Sequence, residues 1–170
     1  MFRSALYALL VLFLFSSIGL ALDFKPFIQN NDLMEQALRA RDDRQTLVAA
    51  FQYLSNAEKF KERIKALDDL RRAQIRYKRT VTCLAEDTMR VIEKDFNLTT
   101  SNADQVYKLA MREIAFGNGQ WETGKILKHN YQKETKDMVR FLLKNIIIRN
   151  NNDALKRIEA GIETLSVFFK

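Results

Sequence analysis

The sequence predicts an all-α fold, an up-and-down bundle of about five or six helices. Three observations carry this. Beyond residue 21 the chain holds one proline (Pro26) and four glycines (Gly117, Gly119, Gly124, Gly161), so breakers are scarce. Leu, Lys, Arg, Glu and Ala, the residues that lose least on entering a helix, are abundant. No run shows the strict polar–apolar alternation of a half-buried strand.

Residues 1–21 stand outside the fold. Arg3 precedes an unbroken apolar run, Ala5 to Phe15, and SSIGLA follows with small residues at Gly19 and Ala21. That is the grammar of a secretory signal peptide, with cleavage expected after Ala21. The competing reading is an uncleaved anchor, since the apolar span counted to Leu22 approaches bilayer length. The two serines and the glycine near its end favour cleavage. The expected product is a secreted, extracellular protein beginning at Leu22.

Residues 22–31 read as an extended arm, with Pro26 keeping the chain out of helix and Phe24 and Phe27 free to dock. Residues 32–170 read as one bundle domain. A chain of roughly 150 residues buries about 68–70% of its unfolded surface and needs neither disulfide nor metal to hold a core. Asp32 with Glu35 forms the first expected capping box. Leu33, Met34, Ala37 and Leu38 form its apolar side. Asp42-Asp43 reads as a fresh cap, followed by Leu47, Ala50, Phe51 and Leu54 on one helical face. Ser55 and Glu58 open a long helix whose stripe is Phe60, Ile64, Leu67, Leu70, Tyr77, Val81, Leu84 and Val91 or Ile92.

NLTTSN (97–102) is the expected loop, and it holds the chain's single N-glycosylation sequon, at Asn97. Ser101 and Asp104 cap the next helix, with Val106, Leu109, Ala110 and Ile114 facing inward. Phe116-Gly117-Asn118-Gly119 is expected to end it, Gly117 taking the C′ position. A helix from about Gln120 to Arg149 would then bury Leu127, Tyr131, Met138, Phe141, Leu142 and Ile146. Asn150 to Asn152 would break it, and Leu155, Ile158, Ile162, Leu165 and Phe169 would form the seam of a last helix. No internal repeat stands out.

Catalytic, metal and cofactor chemistry is not expected. Gly119-x4-Gly124-Lys125 falls one residue short of a phosphate-binding P-loop, because Ile126 stands where Ser or Thr must ligate Mg²⁺. No strand precedes it, the fold is all-α, and the extracellular space is poor in nucleotide triphosphate. His129 is the only histidine and Cys83 the only cysteine, so no zinc site and no intrachain disulfide can form. Cys83 reads as a buried thiol, the other reading being half of an intermolecular bridge. Trp121 reads as packing at the bundle end, with Lys125 in solvent. Adjacent carboxylates such as Asp42-Asp43, Asp68-Asp69 and Glu86-Asp87 point about 100° apart on a helix and share no site.

Charge supplies the functional lead. The chain has a formal net charge of +7, and +6 without Arg3. Lys59 to Arg79 concentrates nine basic residues against three acidic ones. Within it Lys61, Lys65, Arg72, Arg76 and Arg79 recur at spacings of 4, 7, 4 and 3, which puts them on one stripe. Such a row suits a polyanion without base readout. The expectation is a secreted non-enzymatic protein that binds an extracellular protein or an anionic glycan or lipid surface through this face, with no role for nucleic acid. The bland alternative is a solvated helix face offset by neighbouring acids. The other functional alternative is an extracellular carrier of small hydrophobic ligands such as fatty acids, held between helices rich in Phe, Met and Tyr.

Overall fold

The computed structural model describes residues 22–170, and the expected signal peptide at residues 1–21 lies outside them. The described residues are helical, with no strand among them: α1 (Lys25–Ile28), α2 (Met34–Asn56), α3 (Phe60–Asp95), α4 (Ser101–Lys133), α5 (Asp137–Leu165) and a closing 3-10 turn (Ser166–Phe169). Among them no helix is long and apolar enough to cross a membrane.

Lengths and connections fix the layout. The short links before α3, α4 and α5 send each helix back along its predecessor. Asp43 of α2 reaches Arg76 of α3, as antiparallel neighbours must. Along α4 and α5, Ala110 meets Gly161 while Gly124 meets Asn150 and Asn151, so these two are antiparallel as well. On α3 and α5 the pairings rise together, Asp68 with Lys144 and Tyr77 with Glu159, so these two run parallel. The lateral order is α2, α3, α5, α4. The core lies along α3 and α5, where Leu67, Leu70, Tyr77, Leu84, Ile92, Ile148, Ile158, Ile162 and Leu165 are buried.

Three expected helix breaks are not breaks. Asp43 sits inside α2, buried, and its carboxylate pairs with Arg76 at 2.6 Å. Gly117 and Gly119 lie inside α4. A Cβ at Gly117 would stand 2.7 Å from the Ala154 carbonyl oxygen and 2.6 Å from Ile158 Cγ1. Gly117 is therefore a contact point rather than a terminator. Asn150 to Asn152 run inside α5, with Asn151 and Asn152 buried. The actual interruption, residues 134–136, is Glu-Thr-Lys and holds neither Gly nor Pro. The Glu134 carboxylate accepts the Thr135 and Lys136 N–H groups there, at 2.9 and 2.8 Å.

Moving the break to 134–136 re-phases the helix beyond it. Phe141 is buried as expected, but Met138, Leu142 and Ile146 are 47%, 40% and 50% exposed, and Leu109 on α4 is exposed too. The Leu155, Ile158, Ile162 and Leu165 seam is buried. Residues 25–28 form a helical turn in place of an extended arm. Proline carries no N–H to lose in a first turn, so Pro26 begins the helix instead of preventing it. Phe27 is fully buried against Phe169, ring centroids 5.9 Å apart, so the two ends of the described chain close on each other.

The capping boxes at Asp32 and Ser55 do not form. Leu33 and Lys59 occupy the N-cap positions, and Glu62 accepts the Lys59 N–H at 3.3 Å.

A short repeat emerges only in three dimensions. Ala110-x3-Ile114-x2-Gly117 and Ala154-x3-Ile158-x2-Gly161 share one spacing. The segments pack antiparallel, so that each glycine faces the other's Ala carbonyl and Ile side chain. Two absent Cβ atoms let the α4 and α5 backbones approach about a local twofold.

Candidate functional site: the basic face of α3 and the groove beside it

Five basic side chains share the outer face of α3. Lys61, Lys65, Arg72, Arg76 and Arg79 are all exposed on one side of a 36-residue helix. At 1.5 Å per residue the row extends roughly 27 Å. Arg76 is held by buried Asp43, which fixes its guanidinium on the surface of α2 and α3. The other four have no acidic partner within ion-pair distance among the described residues. Elsewhere in the segment Arg63 Nε donates to the Ala57 carbonyl at 2.9 Å and Lys59 lies 4.0 Å from Glu62, while Arg71 and Lys78 belong to the groove described below. One of the segment's three acids is drawn away from the row. Asp68 binds the buried Lys144 ammonium at 2.5 Å, an ion pair that ties α3 to α5 instead of screening the stripe.

Sequence reasoning missed the groove. α3 and α4 both lean on α5 and touch near their shared link, where the Tyr107 hydroxyl donates to Glu93, and farther along an open cleft of about 480 Å³ runs between them. Its α3 wall carries Arg71, Ile75, Lys78, Arg79, Thr82, Cys83 and Glu86. Its α4 wall carries Trp121, Gly124, Lys125 and Lys128, and Ile147 and Asn151 of α5 form the floor. Arg79 belongs to both stripe and groove. Five cations face one carboxylate, Glu86, and Lys125 alone of the five is paired, with Glu122 at 2.7 Å. The signal was present at spacings of 3 and 4 from Arg71 to Glu86. Trp121, Gly124, Lys125 and Lys128 share one face of any helix running from Gln120, but no local pattern shows that this face stands across from α3.

A buried amide cluster holds the floor. The Gln74 Nε2 donates to the Ile148 carbonyl at 2.9 Å and to Asn152 Oδ1, while Asn151 Nδ2 donates to Gln74 Oε1 at 3.2 Å. Asn150 Nδ2 donates to the Gln120 carbonyl at 2.8 Å, which closes α4 onto α5. Gly124 completes the fit, since a Cβ there would lie 2.8 Å from Asn151 Oδ1. Burial lowers the pKa of Lys78 from its ordinary 10.5, opposed by Glu122 and Glu86. Thr82 Oγ1, in the α3 wall, is buried with no hydrogen-bond partner among the described residues.

The remaining candidates separate. Gly119 to Lys125 is continuous helix preceded by helix, without P-loop geometry. Trp121 packs against the core part-way along α4 rather than at the bundle end, and Lys125 faces solvent as expected. Cys83 is half-buried in the groove wall instead of enclosed in the core. His129 is exposed on α4 outside the groove. Among the described residues no cluster of His, Cys, Asp and Glu is placed to hold a metal ion. Asn97 is exposed in the α3–α4 link, where its Oδ1 accepts the Thr99 N–H and hydroxyl at 3.0 and 2.6 Å.

A second buried polar site sits between α2, α3 and α5. Glu159 accepts the Tyr77 hydroxyl at 2.6 Å and the Arg44 Nε at 3.0 Å. Burial raises the Glu159 carboxyl above its ordinary range, against the pull of Tyr77 and Arg44. Burial and the neighbouring Glu159 raise Tyr77 well above its own. Arg44 also lines a shallow pocket with Leu22, Phe24 and Arg41, while Glu159 and Tyr77 are buried, and the geometry is that of a helix clamp.

Comparison with known proteins brings no match: no family model, no curated protein and no solved structure is similar enough to this chain to carry an argument.

Proposed function

We propose that the protein is a secreted, non-enzymatic binding protein whose α3 basic face engages a linear anionic glycan in the extracellular space. The observation that carries this is the row of four exposed cations, Lys61, Lys65, Arg72 and Arg79, left without acidic partners among the described residues on one continuous helix. A rigid row loses little conformational freedom on meeting a polyanion, and releasing the polymer's counterions drives association. A flat lipid surface fits less well, because membrane-lying helices set a continuous apolar face beside their cations. Along this stripe Ile75 is the exposed large apolar neighbour. The signal-peptide pattern of residues 1–21 and the exposed sequon at Asn97 support the extracellular setting, with Asn97 as the glycan-bearing residue.

Immobilised heparin tests the reading. The native protein is expected to elute well above physiological salt, and the Lys61→Gln/Lys65→Gln/Arg72→Gln variant near it, while anionic vesicles retain neither. Equal elution of the two proteins, or retention by vesicles alone, contradicts it. The carrier alternative is favoured by one observation, the groove with Trp121, Ile75 and Ile147 in its lining, and its ligand class follows from that groove's walls.

A further inference from the structure

We propose that the α3–α4 groove is a binding site for a free amphiphilic anion, a single carboxylate or sulfonate head on an apolar or aromatic body. The site shares Arg79 with the glycan-binding face but otherwise uses different side chains, and it stands or falls without that reading.

Shape and lining agree on this class. About 480 Å³ falls within the range of small-molecule pockets. The body would lie on Trp121, Ile75 and Ile147, whose side chains come from three different helices. Ile75 is 51% exposed, an expense of apolar surface that an occupant would relieve. The head has Lys78 and Lys128 facing it from opposite walls and Arg71 and Arg79 along the α3 side, all without acidic partners among the described residues. A wholly apolar ligand would leave these cations partly desolvated and uncompensated, and a small inorganic anion would leave the floor uncovered. Only a molecule with both parts satisfies both. The half-buried Lys78 ammonium, already disfavoured by its surroundings, gains most from such a head. The unpartnered Thr82 hydroxyl lies in the same wall.

The floor is rigid enough to hold a shape. Gln74, Asn151 and Asn152 bond one another beneath it, and Gly124 and Gly117 bring α4 against α5. The groove is therefore pre-formed.

The chain supplies two reporters on opposite walls, its only tryptophan, Trp121, and its only cysteine, Cys83. The probe is 1-anilinonaphthalene-8-sulfonate, paired with N-phenyl-1-naphthylamine, which keeps the rings and lacks the sulfonate. The expected result is saturable one-to-one binding that quenches Trp121 emission, at least tenfold tighter for the sulfonate than for the neutral probe. Occupancy should slow the reaction of Cys83 with a soluble thiol reagent at least fivefold. Lys78→Gln/Lys128→Gln should weaken sulfonate binding about tenfold, leave the neutral probe unchanged, and leave heparin elution unchanged. Its unaltered thermal midpoint certifies the fold, and a single Lys128→Gln variant, at an exposed site, serves where the double variant unfolds. Monomeric decanoate should displace the probe. Equal affinity for the two probes, unchanged Cys83 reactivity, or displacement by anionic vesicles but not by decanoate would overturn the proposal.

Discussion

Glu159 shows how much a single buried charge decides in this bundle. It lies nearly out of solvent between Tyr77 and Arg44, and burial outweighs both partners in setting its proton affinity. A carboxyl held above the ordinary 4.5 binds its proton at higher pH in the folded chain than in the unfolded one. Its contribution is then fully present below pH 4.5 and is lost as pH rises through the raised folded value. Glu159→Gln cannot titrate, yet its amide oxygen can still accept the Tyr77 hydroxyl. The stability of the native protein relative to this variant should fall as pH rises above 4.5, read from urea midpoints at steps up to pH 7. A relative stability that rises over that interval would mean that the Arg44 pair, rather than burial, governs the site. Residue by residue, the sequence was least legible here. Asp43 reads as a cap, Asn151 and Asn152 as a break, and Gln74 and Glu159 fall on no expected site. They are buried because each meets a partner far away in sequence, and no local pattern carries that information.

At the scale of the element, α4 is the test. Its glycines read as punctuation because glycine weakens an isolated helix by about 1 kcal/mol against alanine. Packing overrides that preference at Gly117, where the missing Cβ admits the α5 backbone. Gly119 has nothing within 4 Å of its Cβ position and gains nothing from being glycine. The two should respond oppositely to the same substitution. Gly119→Ala is expected to stabilise by about 0.5–1 kcal/mol through propensity. Gly117→Ala should destabilise by about 1–3 kcal/mol, as overpacking against a backbone carbonyl does. Chemical denaturation of both variants distinguishes this from a turn at 117–119, in which Gly119→Ala would destabilise. The apolar stripe of α3 and its end before the 97–102 loop were legible, but its start was not, since Ser55 belongs to α2 and the helix begins at Phe60. The α4–α5 break was not, since Glu-Thr-Lys carries no breaker, and its misplacement turned Met138, Leu142 and Ile146 to the wrong side.

At the scale of the molecule, fold class follows from composition and apolar period, since long helices with one apolar face each must bury it together. The basic stripe was legible because it lies on a single helix. The groove was not, because its walls come from α3 and α4 and its floor from α5. Only the lateral order α2, α3, α5, α4 brings those residues together. The same order leaves α3 with two uses: an outer row of free cations, and a flank facing Trp121.

The proposed binding of a linear polyanion by the outer row of α3 can be read from the salt dependence of affinity for a heparin octasaccharide. The native protein should lose affinity steeply and linearly on a logarithmic salt axis. Lys61→Gln/Lys65→Gln/Arg72→Gln should bind more weakly with a shallower slope, by on the order of one unit per cation removed. A slope unchanged by the three substitutions would mean that the charge row of α3 is solvated surface and that binding, if any, lies elsewhere.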